Sequence, residues 1–359
     1  MHFDLFNELS VPAFAGRSEQ QVFNDTLELW QSAETLGFST AWLVEHHFMP
    51  EYSHSTAPAL FLAAASRLTR RLRLGHAIIP LPYHHPIQVA EQLATLDLLS
   101  DGRLEFGYGR GFSPQEYAAF GQDMGASRRY TAESLKIIRQ ALKSGRVDFH
   151  GEHFDFSDLN VLPRPIQQPH PPIWAAAVSP ESFDLAAQEG VGVLVGPFKP
   201  WFMVREDIRH YRQAWQRHHG TAMPAPSQNN KVAMTVGIHC HSDQRMARRQ
   251  ASEGFVWFYR HLLGQTRPIL ERLYESYEYY RRFGKLGSLL GKAISLTALE
   301  ALGMTIVGDP AHCRKRIGEL QQAGVDHVLC AFGAGVLPPE QTLDGMRLFA
   351  QQVMPDFTS

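Results

Sequence analysis

Two adjacent histidines, His46 and His47, follow a short apolar run that ends at Glu45. Imidazole is the side chain whose ordinary pKa lies closest to neutral pH, so a histidine in such a position can act as a general base or acid. Neighbouring side chains on an extended segment point to opposite sides, so we expect at most one of the two to face a site. A purely structural pair of histidines is the alternative that these residues leave open.

A second pair of histidines, His84 and His85, follows the next apolar run. Clusters of histidine can bind metal, but no carboxylate at a spacing typical of metal ligands accompanies these four residues. The cysteines lie far apart and form no CxxC pair, which argues against a structural zinc site and against a disulfide framework; they are Cys240, Cys313 and Cys330. The sequence therefore predicts no metal site.

The segment Phe106–Gly111 contains a GxGxG pattern that is suited to a phosphorylated or planar ligand. Glycines let the backbone approach such a ligand closely, and Arg110 supplies a fixed positive charge. Arg128 and Arg129, at the start of a later helix, could supplement that charge. The full dinucleotide fingerprint is missing, so a nicotinamide site is doubtful here.

A third candidate is the turn Val178–Ser182, which leads from an apolar run into a helix. Ser179 is a natural N-cap, Pro180 suits the first turn, and Ser182 is placed for contacts through its hydroxyl. The free N–H groups at a helix start bind phosphate. A plain cap with no ligand is the alternative.

These candidate residues follow the apolar runs of a recurring pattern. In each repeat, a short apolar run is followed by a polar loop and an amphipathic stretch. The pattern is typical of βα units around a parallel sheet. Eight strands are predicted, at His2–Leu9, Thr40–Glu45, Leu72–Ile79, Arg103–Gly109, Pro172–Ala177, Val191–Gly196, Val232–Cys240 and Val325–Phe332. This count favours a single (βα)8 TIM barrel over residues 1–359 rather than a doubly wound open sheet, with the active site at the carboxyl ends of the strands.

A long insertion is predicted after the seventh strand, over residues 255–305. It is rich in aromatic residues, and Gly284, Gly287 and Gly291 would let it move. Long insertions in compact domains are usually functional lids or disordered segments. We predict a lid, with an ordinary helical insertion or a dimer contact as the alternative.

Composition excludes several classes of protein. With 34 basic and 36 acidic residues the formal net charge is −2, which argues against a nucleic-acid-binding protein. The N-terminus has no pattern of a signal peptide, and no apolar stretch is long enough to predict a membrane span. We therefore expect a soluble, cytoplasmic protein.

Taken together, these motifs resemble the bacterial luciferase-like family of flavin-dependent monooxygenases. The resemblance covers most of the chain and is clearest from Met1 to about Gly190. The matching motifs keep the family's order: Glu45–Phe48, Leu81–Pro86, Ser100–Gly107 with Arg110 and Gly111, Phe120–Met124 with Arg128, and Pro172–Ser182 with Ala186–Gln188.

The resemblance implies a role for each matching residue. His46 would be the catalytic histidine, His47 its neighbour, and Glu116 an acidic residue near the isoalloxazine ring. The FMN phosphate would be held by Arg110, Arg128, Val178, Ser179 and Ser182. Ala77 and Ile78 would form a non-proline cis peptide bond beneath the flavin ring. Three positions depart from the luciferase α subunit (Val178, Gly109 and Ile78), which argues against light emission with a long-chain aldehyde.

The function implied is a monooxygenase that uses reduced FMN and molecular oxygen, through a flavin hydroperoxide, to oxygenate a small organic substrate such as an aldehyde or another apolar compound. A separate NAD(P)H-dependent flavin reductase would supply the reduced FMN. The alternatives are a deazaflavin-dependent hydride-transfer oxidoreductase and a non-catalytic flavin-binding subunit. The family also implies a homodimer, for which the alanine-rich segment Ala57–Ala65 permits close helix approach.

Overall fold

The computed structural model describes residues 1–276, 294–332 and 337–358, without the side chains of 266–276. Its strands, in chain order, are β1 (His2–Asn7), β2 (Thr40–Leu43), β3 (Arg73–His76), β4 (Ile79–Pro80), β5 (Leu104–Gly109), β6 (Arg146–His150), β7 (Asp155–Asn160), β8 (Ile173–Ala176), β9 (Gly192–Val195), β10 (Val232–Cys240), β11 (Thr305–Gly308) and β12 (His327–Phe332).

Helices alternate with these strands along the chain. They are α1 (Glu19–Leu36), α2 (Pro58–Leu68), α3 (Pro86–Leu99), α4 (Pro114–Ala119), α5 (Ser127–Ser144), α6 (Pro180–Gln188), α7 (Trp201–His219), α8 (Gln244–Ser276), α9 (Leu296–Ala301), α10 (Pro310–Gln322) and α11 (Pro339–Gln352). Ser18 caps α1 through a capping box with Gln21, and Gly37 ends it in a left-handed conformation. Within the described ranges, none of the helices is both long and apolar enough to cross a bilayer.

Eight parallel strands close into a barrel. The order around it is β1, β2, β3, β5, β8, β9, β10 and β12, and β12 pairs in parallel with β1 to complete the ring. The helices cover its outer face, and the largest apolar cluster fills the space between helices and strands. The predicted (βα)8 barrel is confirmed.

Each predicted barrel strand contains an observed one, but three local features differ. The third predicted strand is interrupted by a cis peptide bond between Ala77 and Ile78, so that β4 pairs with β5 separately from β3. The antiparallel hairpin of β6 and β7 was not predicted, because it is largely exposed and carries no apolar run. The short strand β11, which pairs with the end of β10, was not predicted; it begins at Thr305, the last residue assigned to the insertion.

The predicted insertion begins inside α8, which runs without interruption from Gln244 to Ser276. Its first aromatic side chains are buried in a second apolar cluster with Met49, Tyr52 and Met203; they are Phe255, Trp257, Phe258 and Tyr259. This part of the insertion therefore packs against the barrel instead of forming a free lid. Gly284, Gly287 and Gly291 lie outside the described residues, so the lid stays a prediction.

Large side chains fill the inside of the barrel near the amino ends of its strands. Trp42 and Trp174 cross edge to face at 5.6 Å between ring centres. Their indole N–H groups donate to Asp4 at 3.0 Å and to Glu105 at 2.6 Å. Gly75 makes room for this packing, because a Cβ there would lie 2.2 Å from the Trp42 ring. A barrel blocked at this depth leaves its carboxyl end as the place for a site.

Candidate active site

His46 lies at the barrel mouth, three residues beyond the end of β2. Its main-chain N–H donates to the Ser55 carbonyl at 3.0 Å, which fixes the backbone there. The side chain is 12% exposed, and its ring meets the Phe112 ring edge-on at 5.4 Å between centres. His46 is therefore an almost enclosed histidine that still reaches the mouth.

Two buried carboxylates flank the His46 ring. Oε2 of Glu8 lies 3.7 Å from Nε2, and Oε1 of Glu116 lies 3.7 Å from Nδ1. Burial acts to lower the pKa of His46, but Glu116, Glu8 and Glu45 together outweigh it, and the pKa is raised above 6.5. A histidine poised in this way can hold or release a proton near neutral pH.

Glu116 is held in place by two donors. Its Oε1 accepts the main-chain N–H of His47 at 2.8 Å, and its Oε2 accepts the Tyr83 hydroxyl at 3.0 Å. Burial raises the pKa of Tyr83, and the Glu116 charge raises it further, so the phenol stays protonated as the donor. Gly111, with a φ of 72°, makes room for this contact, because a Cβ there would lie 2.5 Å from the Tyr83 hydroxyl.

His47 turns to a different carboxylate from His46. Its Nε2 lies 3.2 Å from Oε1 of Glu45, and the same oxygen lies 2.6 Å from Nε2 of His84. Burial acts to raise the pKa of Glu45, but the hydrogen bonds from His47 and His84 outweigh it and lower the pKa. Among the described residues, no group of histidine, cysteine and carboxylate side chains is arranged to hold a metal ion.

Small and apolar residues lie beside this group at the mouth. Ala77 and Ile78, joined by the expected cis peptide bond, are half-buried, and Ala176 at the end of β8 is exposed. A Cβ on Gly109 would lie 2.7 Å from Cδ1 of Ile78 and 3.2 Å from Cβ of Ala176, so the packing of these side chains requires glycine. These residues fit a planar ring system such as a flavin.

The predicted phosphate-side turn is a complete helix cap. Ser182 Oγ accepts the N–H groups of Val178 and Ser179 at 2.8 and 2.9 Å, and Ser179 Oγ accepts the N–H of Ser182. Arg128 reaches this helix start, with its guanidinium 3.1 Å from the carboxylate of Glu181. The structure thus brings Arg128 together with Val178, Ser179 and Ser182.

Arg110 follows β5 directly and is exposed at the rim of the barrel. Its main-chain carbonyl accepts the hydroxyl of Tyr117 from α4. This bond links the end of β5 to the short helix α4, which carries Glu116. The positions of Arg110 and Glu116 therefore depend on the same connection between β5 and α4.

Several residues of the site were not singled out from the sequence. Glu8 and Tyr52 lie against His46. Glu45 was part of the motif Glu45–Phe48 but was given no role; it holds His47. Glu8 has a signal that could have found it, because it directly follows the apolar run of β1 at the carboxyl end of a barrel strand. Tyr52 has none, since it lies in the loop between β2 and α2 with no motif around it.

Lys199 was also missed. It is almost fully buried and pairs with Asp207 of α7, and its ammonium donates to the Val178 carbonyl at 2.8 Å. Burial lowers the pKa of Lys199, and Asp207 opposes that change. Through the Val178 carbonyl, the pair holds the turn at the start of α6 in place.

A sequence model of the family described as luciferase-like monooxygenase matches residues 1–327. The alkanal monooxygenase alpha chain of Photorhabdus luminescens is 26% identical over 354 residues, which cover 94% of this chain and 92% of that protein. The oxygenase component of the flavin-dependent trigonelline monooxygenase of Acinetobacter baylyi is 34% identical over 183 residues, half of each chain.

Solved structures share the fold over the whole chain. Monooxygenase RslO1 from Streptomyces bottropensis has a TM-score of 0.83 at 27% identity, with 100% of both chains covered. The oxygenating constituent of 3,6-diketocamphane monooxygenase from Pseudomonas putida, in complex with FMN, has a TM-score of 0.80 at 20% identity, covering 100% of this chain and 99% of that one. A coenzyme F420-dependent tetrahydromethanopterin reductase from Methanopyrus kandleri has a TM-score of 0.69 at 20% identity, with the same coverage. The last two show the fold alone, whereas the match over residues 1–327 shows that this chain belongs to the luciferase-like monooxygenase family.

Proposed function

We propose that this monooxygenase binds reduced FMN at the barrel mouth and uses molecular oxygen to oxygenate a small organic substrate, with His46 as the residue that moves protons. One observation carries the proposal: His46 lies between Glu8 and Glu116, 3.7 Å from each carboxylate, at the carboxyl end of the barrel. Reduced FMN supplies the electrons that activate oxygen, and the protein orients it and limits water.

The residues Ala77, Ile78, Gly109 and Ala176 are our proposed binding surface for the isoalloxazine ring. Glycine at position 109 supports this, because a Cβ there would collide with Ile78 and displace the side chain that we propose contacts the ring. Glu116 keeps His46 oriented beside the ring, and its position is set by the donors His47 and Tyr83 rather than by the ligand.

The phosphate of FMN is proposed to bind at the start of α6. Arg128 supplies charge there and Arg110 supplies it at the adjoining rim, while Val178, Ser179 and Ser182 shape the turn. Arg128 and Glu181 are both more than half exposed, so an incoming phosphate can take the place of the Glu181 carboxylate at little cost.

A separate NAD(P)H-dependent flavin reductase is proposed as the source of reduced FMN. Two facts support this: the sequence lacks a dinucleotide fingerprint, and the trigonelline relative is named as the oxygenase component of its system. The apolar lining contributed by Phe112 and Val178 beside the buried aromatic cluster favours a substrate with apolar character, an aldehyde being one example.

Stopped-flow spectroscopy tests the function. Anaerobic protein with reduced FMN is mixed with oxygenated buffer, and the return of the oxidised flavin spectrum is followed. We expect a return much slower than with free FMN, because the mouth shields the reacting flavin from water. The part of this return whose rate depends on pH is its proton-dependent phase. His46→Gln should slow that phase, whereas His218→Gln, at an exposed position on α7, should not. A wild-type protein that reoxidises FMN at the free rate would refute the proposal.

Titration of the same protein with reduced coenzyme F420 distinguishes the oxygenase from the two alternative functions. If F420 binds and FMN does not, a hydride-transfer oxidoreductase takes the place of the oxygenase. If FMN binds and the His46→Gln variant behaves as wild type, the flavin-binding subunit is the better description.

A homodimer through α2 and α3 is proposed as the assembly. Leu60 is 75% exposed on α2, and Leu68, Leu98 and Leu99 are exposed at the ends of the same two helices. Exposed leucines on two neighbouring helices favour a contact surface. Leu60→Glu should shift the mass measured by light scattering from dimer to monomer, and a wild-type monomer at micromolar concentration would rule the assembly out.

A further inference from the structure

Glu8 differs from Glu116 in how its oxygens are used. Its Oε1 accepts the Tyr52 hydroxyl at 3.0 Å, and its main-chain carbonyl accepts Ser53 Oγ at 2.7 Å, so the residue is fixed. Its Oε2 is buried, makes no hydrogen bond among the described residues, and faces Nε2 of His46. Both oxygens of Glu116, in contrast, accept hydrogen bonds. Glu8 therefore keeps one oxygen available for a proton.

Glu8 also lines a small cavity of about 30 Å³ between the end of β1, α1 and α8; other residues that line it include Ser10, Arg17, Thr26 and Phe258. The lining is mixed, with the polar residues Ser10, Arg17 and Thr26 beside apolar side chains, and a cavity of this size has room for one or two water molecules. Arg17 pairs with Asp25 at 3.1 Å, and its side chain is 19% exposed, so the cavity reaches to just beneath the surface. Water here would stand between Glu8 and solvent.

We propose that Glu8 is the proton relay between His46 and solvent. After the His46 imidazolium gives its Nε2 proton to the reacting oxygen, Oε2 of the Glu8 carboxylate takes a proton from water in the cavity and passes it to the emptied Nε2. Glu8 is then a carboxylate again, and the cavity water takes its replacement proton from solvent. No electrons move in these steps, and the reverse sequence carries a proton outward.

Distance and charge support this assignment. The His46 ring needs to approach by less than about 1 Å to turn the 3.7 Å contact into a hydrogen bond. Burial raises the pKa of Glu8, while His46 and the Tyr52 hydrogen bond oppose the change, so the carboxyl keeps its proton closer to neutral pH. The groups that face the pair are Tyr52 and Arg17 at Glu8, and Glu116 and Glu45 at His46.

The first test needs no flavin. Infrared difference spectra of wild type against Glu8→Gln report the protonated Glu8 carboxyl, and NMR of labelled histidine follows the His46 ring. We expect a carboxyl band that Glu8→Gln removes, and a His46 titration in coupled steps that becomes a single step in the variant. Identical His46 titrations in the two proteins would overturn the relay.

The second test uses the flavin reaction, because the inference rests on the proposed function. Glu8→Gln keeps an acceptor for Tyr52 but cannot cycle a proton, so it should slow the proton-dependent phase by tenfold or more, on the order expected for a lost acid–base group. Glu8→Asp should recover part of the rate, and added formate should rescue Glu8→Gln. A merely structural role predicts neither recovery.

The outcomes distinguish a failure of the proton relay from a failure of the proposed function. If Glu8→Gln reacts at the wild-type rate while His46→Gln does not, the relay is wrong and the proposed function stands. If wild type reoxidises FMN at the free rate, the proposed function fails, and the infrared and NMR titrations alone decide whether Glu8 and His46 exchange a proton.

Discussion

Glu116 places Oε1 3.7 Å from Nδ1 of His46 and at the same time accepts the main-chain N–H of the next residue, His47, at 2.8 Å. One carboxylate oxygen thus both fixes the turn that carries the histidine and sets the charge beside its ring. Since α4 brings this carboxylate from another βα unit, the position of His46 depends on two separate loops.

Replacing Glu116 with Gln should separate these two roles. The amide oxygen keeps an acceptor for the His47 N–H, but the negative charge that raises the pKa of His46 is lost. We expect the His46 pKa, measured by NMR of labelled histidine, to fall, and the pH dependence of flavin reoxidation to move to lower pH with it. Glu340→Gln, at an exposed carboxylate on α11, is the control. An unchanged His46 pKa in Glu116→Gln would contradict this account.

The neighbouring arginines Arg128 and Arg129 offer a matched pair. Arg128 lies 3.1 Å from Glu181 at the start of α6, whereas Arg129 pairs with Glu152 at 3.2 Å. Arg128→Ala should weaken FMN binding about tenfold or more, the usual worth of a hydrogen bond to a charged group, and leave riboflavin binding unchanged.

Anaerobic titrations of both ligands check this, with Arg129→Ala as the control that should keep wild-type affinity. Equal losses for FMN and riboflavin in Arg128→Ala would mean that the arginine does not contact the phosphate.

His76 makes the stability of the protein depend on pH. Both of its ring nitrogens are buried without a hydrogen bond among the described residues, and burial lowers the pKa to about 4 from 6.5. Between these values the unfolded chain binds the proton and the folded chain does not, so stability falls as pH falls through this window.

His76→Leu should remove that dependence, which amounts to about 2 kcal/mol between about pH 7 and pH 5. Urea unfolding at the two pH values measures it. His218→Leu, at an exposed position on α7, should retain the wild-type pH dependence. A His76→Leu protein that loses as much stability on acidification as wild type would show that His76 is not responsible.

The barrel could be predicted from the sequence because its strands are short apolar runs at regular intervals, each followed by an amphipathic helix. His46, His47 and Arg110 could be singled out because they directly follow such runs, where a parallel barrel gathers side chains. Glu8 occupies an equivalent position, but the predicted first strand extended to Leu9, so Glu8 was counted inside the strand, which in fact ends at Asn7.

Contacts between distant segments could not be predicted from the sequence. The approach of Arg128 to Glu181 depends on how α5 and α6 pack, and the contact of Tyr52 with Glu8 on the path of the loop after β2. Neither leaves a periodic pattern. The exposed hairpin of β6 and β7 was missed for the related reason that it buries few side chains.

The last prediction concerns the stability of the buried ion pair between Lys199 and Asp207. The two side chains are 1% and 5% exposed, and Lys199 also donates to the Val178 carbonyl. Lys199→Met leaves the Asp207 charge buried without its partner, which should cost about 3–5 kcal/mol in the free energy of unfolding. Adding Asp207→Leu removes that charge and should restore most of the loss, because apolar side chains can replace a buried ion pair.

Urea unfolding of the two single variants and the double variant closes this cycle. FMN affinity, measured alongside, reports on the turn at the start of α6. We expect it to stay weakened in the double variant, because the ammonium that holds the Val178 carbonyl is still missing. A double variant no more stable than Lys199→Met would mean that the lost contact with Val178, and not the unpaired charge, determines the stability.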